Sequence, residues 1–248
     1  MAGETQNKIV FDLETQYSFD DVGGRGNLRL LKVSVLGAYD YRTSEFRCYE
    51  EGELAAFEAR LREQPQLIGF NIRQFDLPVL APYLTTVDWR TLEVLDLMEE
   101  VVRFAGHRVS LNSLAAATLG ERKIADGLEA LRFWREGRMQ ELKEYCLDDV
   151  RLTRELYEHG LRTGELRFES NFGFEARAVP ARWAASGELA GSGGSIRAAL
   201  EQARAEQKTV EIDYVSTGLL RKKRRLNVYG LSGNYVEGFC HLRQDIRN

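Results

Sequence analysis

Along residues 7–160 the apolar positions recur with a period of two in some stretches and near four in others, and each change of period marks a new element. Alternation predicts strands over 7–14, 28–36 and 44–49, separated by Gly23-Gly24-Arg25-Gly26-Asn27 and by the polar segment from Tyr39 to Ser44. Three successive strands separated by such turns are expected to form an antiparallel meander. Leu54, Phe57 and Leu61 then fall at helical spacing within 52–63. A strand over 66–70, a helix over 77–84 with Pro78 in its first turn, and a short strand over 92–97 follow. Helices are predicted over 110–119, 126–135 and 138–160. Three meander strands followed by alternating helix and strand predict an α/β chain with a mixed sheet and flanking helices.

The pattern changes after residue 165. Residues 167–183 show little periodicity, 187–195 are rich in glycine and serine, and 196–207 form a short amphipathic helix. Alternating segments over 210–215, 221–229 and 234–241 predict a small β-rich module. The expected organisation is a first domain over 1–165, a connecting segment and linker over 166–195, and a C-terminal module over 196–248.

Chemistry enters through three segments. In Ile9-Val10-Phe11-Asp12-Leu13-Glu14-Thr15 two carboxylates stand two apart on a strand, so both leave the same face while Leu13 points the other way. Like charges held that close repel unless a cation lies between them, which points to a hard divalent ion such as Mg²⁺ or Mn²⁺; a strand ending in Asp-x-Glu is also compatible with a solvated edge. In Gly69-Phe70-Asn71-Ile72-Arg73-Gln74-Phe75-Asp76 a strand runs into a polar turn and delivers Asp76 where the next helix begins, a place for a site carboxylate or for an N-cap. In Glu144-Tyr145-Cys146-Leu147-Asp148-Asp149 the helical period puts Tyr145 and Asp149 on one face and turns Asp148 away. Asp96 is expected to serve as a strand end or helix cap, and His107 to lie in a loop.

Together Asp12, Glu14, Asp76, Tyr145 and Asp149 occur in the order and context of three exonuclease motifs. On Phe11-Asp12-Leu13-Glu14-Thr15, Asn71 to Phe75-Asp76, and Tyr145 to Asp149, residues 7–165 resemble the DEDD superfamily of 3′–5′ exonucleases, tyrosine subclass (DEDDy), which has a ribonuclease H-like fold. The histidine subclass would carry its base five residues before the last aspartate, where this chain has Glu144. The resemblance implies two divalent metal ions, Mg²⁺ or Mn²⁺: Asp12 bridging both, Glu14 and Asp149 on the one that activates water, and Asp76 supporting the second. It implies that Tyr145 orients that water, that Thr15 meets the terminal hydroxyl, and that Asn71 and Phe75 shape the approach of the 3′-terminal nucleotide. The partner is then single-stranded DNA or RNA, released as nucleoside monophosphates. A nucleic-acid- or ligand-binding regulatory protein with an idle nuclease fold, and a structure-selective endonuclease, are the alternative readings.

The end of the chain has its own resemblance. Tyr235, His241, Arg243 and Arg247, with the strands before them, resemble the start of a WYL-type small β-barrel, a module of regulators in DNA repair and defence systems. The match stops at Asn248, so the module is expected to be incomplete and to bind a nucleic acid or nucleotide effector.

Composition adds the charge distribution. The 248 residues carry a formal charge of −4, yet residues 208–248 hold eight basic and four acidic side chains, including the run Arg221-Lys222-Lys223-Arg224-Arg225. That +4 leaves −8 on residues 1–207, so phosphate affinity away from any metal is expected from the tail or from isolated arginines. Three scattered cysteines, Cys48, Cys146 and Cys240, fit neither a zinc site nor a disulfide framework and are expected to be structural. No apolar stretch approaches a membrane span and the first eight residues are polar, so the expected location is cytoplasmic.

Overall fold

The computed structural model describes residues 7–121, 127–169, 176–183, 196–215, 221–232, 235–240 and 245–247. The chain divides into two compact units, Met1–Ala184 and Ala185–Asn248.

The first unit is built on a five-stranded sheet of β1 (Lys8–Thr15), β2 (Val33–Asp40), β3 (Glu45–Glu50), β4 (Gln66–Gly69) and β5 (Val94–Asp96), in the order β3-β2-β1-β4-β5. The meander is antiparallel, whereas β4 and β5 run parallel to β1 on its other side. This is the mixed sheet that the pattern predicts. The second strand starts later than expected: Leu28–Leu30 form a 3₁₀ turn, and Lys32 adopts φ +52 before β2 begins.

Helices cover both faces. On one side α1 (Leu54–Leu61) buries Leu54, Phe57 and Leu61, the spacing read from the sequence, in one cluster with Ile9, Phe11, Leu13 and Leu36. The short α2 (Asp76–Leu80) lies in the same cluster through Leu77, Val79 and Leu80. On the other side α3 (Leu97–Ala105), α4 (Leu111–Leu119) and α6 (Met139–Thr163) bury Val101, Leu114, Val150 and Leu156 with Val10 and Ile68 of the sheet. Helix α5 (Gly127–Arg135) packs Ala130 against Leu142 and Tyr145 of α6.

Two elements differ from expectation. The pattern predicts no helix over 97–105, although both ends are marked: Asp96 accepts from the N–H groups of Met98 and Glu99 at the start, and Gly106 closes the helix at φ +76. Residues 167–183, where the pattern shows little periodicity, include most of the antiparallel pair β6 (Glu165–Glu169) and β7 (Ala176–Pro180), which buries Leu166, Phe168 and Val179 beside Leu156 and Tyr157. The strands are short and half exposed, so their alternation is weak. Trp183 ties the end of this segment to α6 by donating to the Tyr157 carbonyl at 3.0 Å.

In the second unit α7 (Ile196–Ala205) packs on an antiparallel sheet of β8 (Thr209–Val215), β9 (Arg221–Ser232), β10 (Tyr235–Cys240) and β11 (Asp245–Arg247), ordered β11-β10-β9-β8. Leu200, Ala203, Leu226 and Val228 are buried there. The cationic run opens β9, with Asp213 opposite Lys223 and Glu211 opposite Arg225 in the ladder. The linker over 187–195, His241 and Arg243 lie outside the described residues.

Candidate metal centre

Asp12 and Glu14 sit in the second half of β1, on the face covered by α6. What lets the helix come close is Gly37, directly opposite Asp12 in the β1–β2 register. A Cβ at Gly37 would stand 3.0 Å from Cys146 Sγ, 3.2 Å from Val150 Cγ2 and 3.3 Å from Leu147 Cδ2. With no side chain there, α6 settles on the sheet and carries Asp149 to the carboxylates of β1. One carboxylate oxygen from each of Asp12, Glu14 and Asp149 lies within 4.8 Å of the others.

Asp76 arrives by a different route. The β1–β4 pairing runs only to Val10↔Ile68, so the Leu13 N–H beyond it has no strand partner on that side. Asp76 Oδ1 accepts that N–H at 3.1 Å. The turn that brings it there is tight: a Cβ at Gly69 would stand 2.9 Å from the Phe11 carbonyl oxygen, and Asn71 adopts φ +69. Asp96 pins this turn by accepting from the N–H groups of Asn71 at 2.8 Å and Arg73 at 3.0 Å while it caps α3. The capping role expected for Asp96 is therefore the observed one, extended to a second segment.

Asp76 is 2 % exposed, and burial, with the charges of Asp96 and Asp149 adding to it, pushes its carboxyl up to about 8. The trio brings hard oxygen donors to one place, and Asp76 lies outside that group but near enough to feel the charge of Asp149. A divalent ion that prefers oxygen ligands fits such a donor set.

The structure brings Asp12, Glu14 and Asp149 together as ligand-range neighbours and sets Asp76 behind the Leu13 peptide. Tyr145, one turn before Asp149, is 5 % exposed and packs among Val35, Ala130 and Leu142. Asp148 points away, 2.8 Å from Arg151, as the helical period requires. Thr15 and Phe75 line a cavity that also reaches Glu14. Asn71 is on another side of the turn, where its Oδ1 accepts from Arg108 at 2.9 Å. Gly37 and Gly69 are the residues that sequence reasoning does not connect to the site, and the hold of Asp96 on the turn before Asp76 goes beyond the cap expected of it. Their signal, a missing side chain or a shared acceptor, is visible only across elements.

His107 lies between α3 and α4 with its ring 5.7 Å from that of Phe168, a packing contact. Burial raises the thiol of Cys48 to about 11 and holds that of Cys146 well above the ordinary thiol value, so both are inert structural groups.

A mixed sheet in the order β3-β2-β1-β4-β5 with helices on both faces is a ribonuclease H-like α/β arrangement. A family model described as the RNase_H superfamily matches residues 9–160, more than half of the chain. The chain belongs to the RNase H superfamily, whose fold points to nuclease chemistry on nucleic acids supported by divalent metals. No curated protein matches it. Among the described residues no helix is long and apolar enough to cross a membrane.

Proposed function

We propose that the first unit is a metal-dependent 3′–5′ exonuclease of the DEDD tyrosine class, hydrolysing single-stranded DNA or RNA to nucleoside monophosphates. The observation that carries this reading is the trio Asp12, Glu14 and Asp149, with oxygens inside 4.8 Å and the buried Asp76 beside it. Two divalent cations, Mg²⁺ or Mn²⁺, would be held by Asp12, Glu14 and Asp149, with Asp76 supporting the second. When bound, they supply Lewis-acid stabilisation of phosphoryl oxygens and a water acidic enough to be a nucleophile at neutral pH.

The chain's own groups do the rest. Tyr145 precedes Asp149 by one helical turn, which supports its assignment to orienting the attacking water; a free phenol with a pKa of about 10 is too weak a base to act alone. Thr15 and Phe75 border the cavity beside Glu14, which supports their roles at the terminal nucleotide. Asn71 would reach the same nucleotide by exchanging its bond to Arg108 for one to substrate. The C-terminal sheet with its cationic β9 is assigned to a WYL-like module that binds a nucleic acid or nucleotide effector.

The test is degradation of 5′- and 3′-labelled single-stranded DNA and RNA with Mg²⁺, Mn²⁺ or EDTA. A metal-dependent ladder receding from the 3′ end, lost in Asp12→Asn with unchanged unfolding, is the expected result. Internal cuts would make the protein an endonuclease. No cleavage with any metal would leave a binding protein on an idle fold.

A further inference from the structure

The cavity beside Glu14 has walls that the carboxylate-bearing segments do not supply. Its volume is about 780 Å³, within the range of small-ligand sites, and its lining is mostly apolar. One wall is the loop that joins β1 to β2. Phe19 of that loop meets Phe75 edge to face, ring centres 5.9 Å apart at 70°, and the Arg25 guanidinium lies over the Phe19 ring at 4.7 Å. The opposite wall includes Leu131 of α5.

The loop is held in this shape. Asp21 accepts from the Ser18 N–H and hydroxyl, both at 2.7 Å, and from Arg135 of α5 at 2.6 Å, so an ion pair joins the two walls. Arg25 is exposed and forms no ion pair among the described residues, in a unit where arginines are commonly committed to carboxylates. An apolar corner of two perpendicular rings, with a planar cation laid on one of them, matches a flat heteroaromatic ring better than an aliphatic group. Stacking of that kind tolerates any base, because each presents a π-face.

We propose that Phe19 and Arg25 form a stacking subsite for one unpaired nucleobase, that of the 3′-terminal nucleotide, and that they are substrate-binding residues for the reaction at the neighbouring carboxylates. The inference rests on the nuclease reading given above and extends it to residues outside all three carboxylate-bearing segments. The cavity continues to Glu14 and Thr15, so a base seated on Phe19 leaves its sugar and phosphate on the side of the acidic trio. Arg25 adds a positive charge at the rim of a negative site, where a phosphodiester needs one.

Two measurements test this, one of them independent of cleavage. With strands ending in a normal nucleotide or in an abasic residue, the parent should prefer the base by roughly 5- to 150-fold in kcat/KM, the equivalent of about 1–3 kcal/mol for one stacked base. Phe19→Ala should collapse that ratio, and Phe19→Tyr should restore it. In EDTA, 2-aminopurine riboside should bind the parent with quenched fluorescence and bind Phe19→Ala and Arg25→Ala more weakly. Arg25 is a surface residue, so its variant remains informative if Phe19→Ala fails to fold. Cleavage with an unchanged abasic ratio and unchanged nucleoside binding in both variants overturns the subsite and leaves the nuclease standing. Nucleoside binding lost in the variants, from a parent that cleaves nothing, overturns the nuclease and leaves the subsite standing.

Discussion

Replacing Asp76 by asparagine removes a charge while keeping the shape and the acceptor for the Leu13 N–H. The carboxyl is 2 % exposed and titrates at about 8 in the folded protein without metal, against about 4 in an unfolded chain. Between these values the native state holds a proton that the unfolded state releases, so stability falls as pH rises, by about 1.4 kcal/mol per pH unit. From pH 6 to pH 8 the loss is on the order of 2 kcal/mol, and the contribution levels off about one pH unit above that. Trp89, Trp134 and Trp183 all lie within residues 1–184, so tryptophan fluorescence during urea unfolding reports the first unit alone. In EDTA the parent should lose that stability over those two pH units, and Asp76→Asn should lose correspondingly less. Mg²⁺ should flatten the parent's profile, because a cation favours the ionised carboxylate. Parallel pH profiles for parent and variant in EDTA would refute the burial argument and with it the view of Asp76 as a charge awaiting a counter-ion.

Other perturbations separate site from scaffold. Gly69→Ala forces a Cβ against Ile72 and the Phe11 carbonyl and should cost about 1–3 kcal/mol by thermal denaturation, whereas Gly52→Ala, with open space around it, should stay within about 0.5 kcal/mol. Ending the chain at residue 165 removes Leu166, Phe168 and Val179 from the core, each worth roughly 1.5–3 kcal/mol, so that fragment should be insoluble or melt without cooperativity while one ending at 184 unfolds cooperatively. Asp96→Ala strips the acceptor from Asn71, Arg73 and Met98 and should lower hydrogen-exchange protection in the turn before Asp76 as well as at the start of α3.

Much of this arrangement was legible in the chain. Asp12 and Glu14 were readable because a period of two fixes which face a strand residue takes, and Asp149 because a period of 3.6 separates it from Asp148. Those are local rules, and each placed a side chain without knowledge of the rest. Helix α3 was missed although Asp96, two glutamates in its first turn and Gly106 marked its ends; the preceding apolar residues drew the reading toward a strand. The hairpin β6–β7 was missed because its alternation covers only five residues a strand and its outer face is polar. Gly37 was out of reach for a different reason. Its importance depends on Cys146, Val150 and Leu147, more than a hundred residues later, and no window along the chain contains both partners.

The carboxylates at this end of the sheet differ in what surrounds them. Parallel strands β1, β4 and β5 all end on the same side, where open α/β sheets place their ligands at a change of strand order, and four aspartates and a glutamate gather there. Asp96 is held by the protein itself: backbone N–H groups of Asn71, Arg73, Met98 and Glu99 converge on its two oxygens. Asp76 has the Leu13 N–H and a raised pKa, the sign of a carboxylate under-compensated for its burial. Asp12, Glu14 and Asp149 face one another at ligand distance, so each adds to the others' charge. The carboxylates that share ligand distance therefore lie where β1 parts from β4, the place where a cation would meet the most oxygen donors at once.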